Sequence, residues 1–536
     1  TGNNLERLLE NAEENESHEI SQFKMYIFSI FSVGLGLLCV HIGAFSPPKY
    51  SKCISKDFGQ GGTVCLCSEN ECDSFSEGIP LGTEEYAVYT SSKAGERFSL
   101  KTANKVISVF SLARHDRGQL ILLCLLTDAA SINIYNISTA LRQKLLSSYF
   151  SEEGIEYNIG RIPMASCDFS TRPYSYNDHV GDLEMANFSL VDEDVKLKIP
   201  LMLTAMKMSK KNITFFGSPW SAPAWMKTNN KMTGFGQLKG KAGDKNHKAW
   251  ALYFAKFIEA YKEKGIKIWA VTAQNEPSDG FIPFFSFQCM GYTAAMERDF
   301  IKEDLGPMLS ARGHADVKII MLDDQRMFLK SWANTILTDP DAAKYVAGIG
   351  VHWYEDIFLP AKALSDTHNR FPDYFILATE ACIDPHLSKP PIVSLGNWAR
   401  GNRYSHSIIE DLSNWAVGWV DWNIALNMEG GPNWVKNFVD SPIIVDAEKG
   451  LFYKQPMFYH LGHFSKFVPP GSQRIEVTAS GKSPLQFIGF TTPAPSTSTV
   501  VIILNKDDSA VELQINSQDG TITETVPPSS IQTYIW

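Results

Sequence analysis

The stretch HKAWALYFAKFIEAYKEKGIKIWAVTAQNEP, residues 247–277, carries two periodicities in succession. Its first part spaces apolar residues as one face of a helix and stops at Gly265, so a helix is expected over 247–265. IKIWAVTAQNEP (266–277) is strand-like and breaks at Pro277. KNITFFGSPW (211–220), VKIIMLDD (317–324), GIGVHWY (348–354) and YFILATEA (374–381) repeat the strand pattern, with helix-like stretches such as DAAKYVAG between them. This rhythm predicts βα units around a parallel sheet.

Beyond about Ser472 the rhythm changes. RIEVTAS, LQFIGFTT, TVVIILN, AVELQIN, ETVPP and SIQTYIW are short strands separated by Gly/Ser/Pro turns, which predicts an all-β module of sandwich type. The chain of 536 residues is long enough for two or three domains, or for one large barrel with an attachment. Its 44% hydrophobic and 20% charged residues exclude disorder along the whole length. A net charge of −10, with no basic stripe interleaved with aromatics, argues against nucleic acid as a partner. Twelve Trp, 19 Tyr and 32 Phe suit stacking on sugar faces, although large cores use them as well.

Several apolar runs end in polar side chains: Trp220 after FFGSP, Asn275-Glu276 after WAVTAQ, His352 and Tyr354 after IGV, and Glu380 after FILAT. In a (β/α)8 barrel, the C-terminal strand ends converge on one site. Glu276 and Glu380 placed there would face each other across a pocket, and paired carboxylates flanking a bond are the equipment of glycoside hydrolysis. A lone Glu at a strand end is usually ordinary; Asn-Glu-Pro closing an apolar strand is more specific. A metal centre at Asp323-Asp324 or at His460 and His463 is a weak reading, because no HExxH or tight His/Cys set is present. No metal and no cofactor are expected.

VTAQNEPSDG resembles the acid/base motif of clan A glycoside hydrolases. YFSEEGI, PMASCDFS, MLDDQR, VHWY, EGGPNWV, NFVDSPIIVD and FYKQPMFYHLGHFSKF extend the likeness from about Cys53 to Trp536. The chain resembles the glucosylceramide-cleaving members of glycoside hydrolase family thirty. The resemblance implies an α/β fold: a (β/α)8 TIM barrel over 116–470, a β-sandwich from 79–115 and 471–536, and a disulfide-rich β module at 47–78. It implies retaining hydrolysis of glucosylceramide, with Glu276 as general acid/base and Glu380 as nucleophile. Glu276 must then be held protonated, above the usual value of about 4.3, and Glu380 ionised. Arg161, His352 and Tyr354 would support the pair. Asp168, Trp220, Asn275, Trp422 and Asn437 would bind glucose, Gln325 would line the pocket, and Phe285 and Phe287 would stand at its mouth. Partners implied are glucosylceramide at a membrane surface, a saposin-like activator and anionic lipid, in the lysosome.

The likeness fails at one place. Family members carry Gly-Phe-Gly-Gly before Thr-Asp-Ala-Ala at the first barrel strand; here Thr127-Asp128-Ala129-Ala130 follows LILLCLL. Gly permits backbone conformations that Leu and Cys resist. Normal chemistry is expected if the strand still forms; the alternative is a catalytically weak, glycolipid-binding relative. A second alternative, a xylanase-type clan A enzyme, fits the long match outside the catalytic motifs poorly.

The N-terminal part points to export. Residues 1–24 are polar, and the apolar run 25–46 reads as a signal peptide cleaved near Ala44 or as a membrane anchor. Of nine cysteines, Cys39 lies in that run and Cys53, Cys65, Cys67 and Cys72 cluster behind it as a disulfide framework. Spacing leaves three pairings open; the resemblance implies Cys53–Cys65 and Cys67–Cys72. Cys124, Cys167, Cys289 and Cys382 are expected to be unpaired. Sequons at Asn136, Asn187 and Asn212 suit a secreted glycoprotein.

Overall fold

The computed structural model describes residues 51–75, 81–106, 121–383, 391–495 and 497–536. The leader, the apolar run with Cys39 and the lead-in 107–120 lie outside the described residues. Among the described residues, no helix is long and apolar enough to cross a membrane.

Eight parallel strands close a barrel. In chain order they are β1 (Ile121–Leu125), β2 (Ile159–Pro163), β3 (Thr214–Ser218), β4 (Ile268–Thr272), β5 (Lys318–Gln325), β6 (Val346–His352), β7 (Phe375–Ala381) and β8 (Ala416–Asp421). Side chains of β2 to β8 are almost all buried, as strands covered on both faces must be. That double burial is why they read as apolar runs. β1 takes its place despite the departure from the family pattern. It pairs with β8 from Ile121 opposite Gly418 to Cys124 opposite Asp421, and with β2 from Leu123 opposite Ile159.

The helix between β3 and β4 spans Lys245–Glu263, two residues earlier than its apolar spacing predicts, because Asp244 caps it by accepting from the amides of Asn246 and His247. It buries Trp250, Phe254, Phe257 and Tyr261 against the barrel.

The sandwich is built from distant parts of the chain. A six-stranded antiparallel sheet runs Gln473–Ile475, Gln486–Thr491, Thr499–Asn505, Ser530–Ile535, Glu85–Ser92 and Ser99–Asn104. Val501, Ile503, Tyr534, Tyr86 and Val88 on one face form a core with Ile522 and Val526 of the hairpin Val511–Ser517/Gly520–Val526. Val500, Ile502 and Leu504 on the other face join the main core, which includes Leu461 and Phe464 of helix Pro456–Ser465.

A five-stranded sheet joins Ile54–Asp57 and Thr63–Cys67 to Leu451–Lys454, Ile443–Asp446 and Leu426–Asn427. Cys53 pairs with Cys65, and Cys67 with Cys72. The Cys-rich segment is thus sheet-bonded to strands that follow the barrel in sequence. Asp73 adds a tie, accepting from Lys454 Nζ at 3.0 Å and Tyr459 Oη at 2.7 Å. Cys167 and Cys289 are buried free thiols, and Cys382 is buried as well. Asn136, Asn187 and Asn212 are exposed.

Candidate active site

Arg161, fully buried on β2, organises the strand ends. Its Nε donates to Ser218 Oγ on β3 at 2.9 Å, and Nη2 donates to Asn275 Oδ1 at 2.7 Å and Asp323 Oδ2 at 2.8 Å. Nη1 donates to Glu380 Oε2 on β7. The guanidinium lies 5.0 Å from the Trp220 ring centroid. A planar five-donor fork binds four strand ends at once, which an ammonium could not do.

Glu276 follows β4 with φ +41°, and Leu322 and Asp323 on β5 have φ +71° and +56°. Left-handed backbone at three non-glycine residues costs roughly 1–3 kcal/mol each and concentrates at functional sites. Here it aims carboxylates inward. Glu276 Oε1 accepts from Gln325 Nε2 and His352 Nδ1, each at 3.0 Å. His352 Nε2 donates to Asp323 Oδ1 at 3.0 Å. Glu380 Oε1 accepts from the Tyr354 hydroxyl at 2.7 Å. One carboxylate oxygen of Glu276, one of Glu380 and a His352 ring nitrogen all lie within 4.8 Å of one another.

The electrostatics follow from burial and these contacts. Burial disfavours the His352 cation, but Glu380, then Asp323 and Glu276, overcome it and push its pKa up to about 10. Both His352 ring nitrogens face carboxylates, so the surroundings favour its imidazolium form. Asp323, beside Arg161 and His352, lies well below the usual carboxylate range despite its burial. Glu276 does not stand above its ordinary value by itself. Burial raises it, but the hydrogen bond and charge of His352, then the Asp279 hydrogen bond and the Arg161 charge, bring it below. Asp279 rises instead, through burial and the neighbouring charges of Glu276 and Asp324. Glu380 is raised by burial, with His352 and Arg161 opposing.

A cavity of about 570 Å³ opens over the pair, lined by Asp168, Trp220, Glu276, Phe285, Phe287, Gln325, Tyr354, Glu380, Trp422 and Asn437 among others. Trp220 and Trp422 stack at 5.1 Å and 26° to form an aromatic wall. Asp168 Oδ2 accepts from Asn433 Nδ2 at 3.0 Å and Asn437 Nδ2 at 3.1 Å. Burial pushes Asp168 up to about 7 against those bonds. Phe285 and Phe287 make an edge contact at 4.5 Å, beside Phe284, which is 97% exposed.

The candidate residues are thus brought together. Asn275, Arg161 and His352 stand behind the cavity and hold groups that line it. Sequence reasoning assigns no site role to Asp279, Asn433 or Cys382, whose sulfur lies 3.5 Å from the Tyr354 hydroxyl, and gives Asp323 only the weak metal reading. Asp323 and Asp324 invite a metal reading, but Asp323 serves Arg161 and His352. Asp324 accepts from the amides of Ser278 at 3.0 Å and Gln325 at 2.7 Å. His460 and His463 are buried core residues bonded to Ser405, and to Ser91 and Thr533. Asn433 lies within EGGPNWV and Asp279 within VTAQNEPSDG, and these motifs are the sequence signal that could have found them.

Residues 123–468 match the model of the glycosyl hydrolase family 30 TIM-barrel domain, and 471–534 that of its beta sandwich domain. The chain belongs to glycosyl hydrolase family 30. It is 48% identical to the mouse lysosomal acid glucosylceramidase over 90% of this chain and 95% of the relative. It is 40% identical to putative glucosylceramidase 4 of Caenorhabditis elegans over 94% of this chain and 99% of the relative. The solved structure of SrfJ from Salmonella typhimurium superposes with a TM-score of 0.73 at 26% identity, covering 84% of this chain and 99% of that one. Family 30 membership, together with the glucosylceramidase relatives, makes the protein a glycosidase.

Proposed function

We propose that this glycosidase hydrolyses glucosylceramide to glucose and ceramide with retention, through a covalent glucosyl-enzyme. The observation that carries the reading is the approach of a Glu276 oxygen to a Glu380 oxygen within 4.8 Å. Retaining glycosidases separate their carboxyls by about 5–5.5 Å, whereas inverting ones need roughly 6.5–9.5 Å to admit a water between.

In the first step Glu380 attacks the anomeric carbon while Glu276 protonates the departing ceramide oxygen. Arg161 and Tyr354 aim the two Glu380 oxygens and favour their charge. Esterification removes that charge. In the second step Glu276 takes a proton from water, water attacks the same carbon, and Glu380 leaves. Asp168 and Asn437, which line the cavity, hydrogen-bond sugar hydroxyls, Asn275 holds Arg161 behind them, and Trp220 and Trp422 meet the C–H face of the sugar. Phe285 and Phe287 at the mouth suit the lipid chain, and the glucosylceramidase relatives favour this aglycone. The reading extends to the lysosomal lumen, glycosylation at Asn136, Asn187 and Asn212, and action on anionic membrane with a saposin-like activator.

The decisive experiment is trapping with a 2-deoxy-2-fluoroglucoside followed by peptide mass spectrometry. Label on Glu380 is expected. A folded protein without label, or one labelled elsewhere, would overturn the assignment.

A further inference from the structure

Asp279 lies three residues beyond Glu276, in the single helical turn Asp279–Phe281. The chain enters it through the turn Glu276–Asp279, in which the Asp279 amide donates to the Glu276 carbonyl at 3.0 Å. Both side chains line the same cavity, where each feels the other's charge. Two buried carboxyl groups this close together resist ionising both at once, so one proton is retained between them.

We propose that Asp279 is a positioning residue that shares one proton with Glu276 and so keeps the acid/base residue supplied with it up to neutral pH. The inference rests on the assignment of Glu276 under the proposed mechanism. Its need is evident from the surroundings. Glu276 faces the His352 imidazolium from β6, the Gln325 amide from β5 and the Arg161 guanidinium from β2, all of which favour its anion. Asp279 faces the opposite field: Asp324 from β5 and Glu380 from β7 favour its protonated form. The buried Cys289 thiol, near Lys227, is a further titratable neighbour and stays neutral, since burial pushes it up to about 12. The pair therefore retains one proton, and losing it leaves two adjacent anions.

The proton balance closes. When the Glu380 ester forms, one carboxylate charge disappears. The pair gives its proton to the departing oxygen and gains one negative charge. Water returns the proton when the ester is hydrolysed and Glu380 is freed. The charge of the site stays constant through both steps.

The test is the pH dependence of kcat/KM for the intact wild-type protein, Asp279→Asn, Asp279→Ala and Asp279→Glu, using glucosylceramide in anionic vesicles. Without the partner carboxyl, Glu276 ionises alone beside two cations. The alkaline limb should then move down by about one pH unit or more in Asp279→Asn and Asp279→Ala. The acid limb should stay in place, and Asp279→Glu should restore the wild-type profile. A uniform loss at every pH, or an alkaline limb moved by less than about 0.3 unit, overturns the inference. Glu276→Gln, assayed on an activated aryl glucoside with and without azide, separates the two levels. Azide rescue with an unmoved limb in Asp279→Asn sinks this inference alone; no rescue sinks the acid/base assignment and this inference with it.

Discussion

Arg161 shows what one buried cation does for a site. Asp323 and Glu380 touch it with almost no exposed surface, so removing it strands two carboxylates in a low-dielectric interior. Breaking such a buried pair costs about 3–5 kcal/mol. Arg161→Ala should lose that much in denaturant unfolding, while Arg161→Lys should lose less stability yet still lower kcat, because an ammonium cannot hold Ser218, Asn275, Asp323 and Glu380 together. Equal stability of Arg161→Ala and wild type would show that the charges are not carried by this residue. Glu276 and Glu380 were legible in the sequence because their motifs sit at the ends of apolar strands. Asp323 was not, since its role depends on a left-handed backbone that no residue type in MLDDQR announces. Asp279 was missed for another reason: an Asp after Asn-Glu-Pro-Ser reads as a solvated loop residue until the turn folds it back.

β5 and β6 set the precision of the site. The left-handed pair Leu322-Asp323 kinks β5, and Gly350 on β6 makes room for it. A Cβ at Gly350 would stand 3.1 Å from Asp323 Cα and 3.0 Å from Thr379 Oγ1. Gly350→Ala should therefore displace Asp323 from His352 and lower kcat by roughly tenfold or more, since misplacement of about 1 Å can cost 10²-fold. Far-UV circular dichroism should stay unchanged. A fully active variant would show that the Asp323 position is not critical. The strands themselves were readable from β-branched and aromatic runs. β1 was the hard case: LILLCLL lacks the family's glycines, yet its apolar residues still suit a strand enclosed by β2 and β8. The sharing of the Cys-rich sheet with Leu451–Lys454 was not readable, because pairing across almost four hundred residues leaves no local periodicity.

Across the whole molecule, buried carboxyls outnumber buried histidines in their effect on pH stability. Burial pushes Asp168 and Asp324 up to about 7, and Glu297 and Asp356 up to about 8. Each binds a proton in the folded state that the unfolded chain has already released, so stability falls as pH rises through the interval. His352, raised to about 10, stabilises the fold below its ordinary value of 6.5 and loses that contribution as pH climbs above it. His460 and His463 act oppositely: buried and held below 6.5, they destabilise the fold as pH drops under that value. Lys227, lowered to about 8, adds stability with rising pH only above that value. Between pH 6.5 and 8 the carboxyls and His352 prevail, and Tm from calorimetry should fall. A Tm that climbs over this interval would contradict the burial of these acids.

The pairing of Glu85–Ser92 with Ser530–Ile535, and of Thr63–Cys67 with Leu451–Lys454, has a consequence for biosynthesis. A ribosome releases the first member of each pair hundreds of codons before the second. During that interval each of the two strands has a partner on one side alone, and one of them carries cysteines open to premature cross-linking. Chaperone occupancy of the nascent chain should thus persist until the last strand emerges, and a premature stop codon near the 3′ end of the message would strip Glu85–Ser92 of a neighbour while sparing every residue of the cleft.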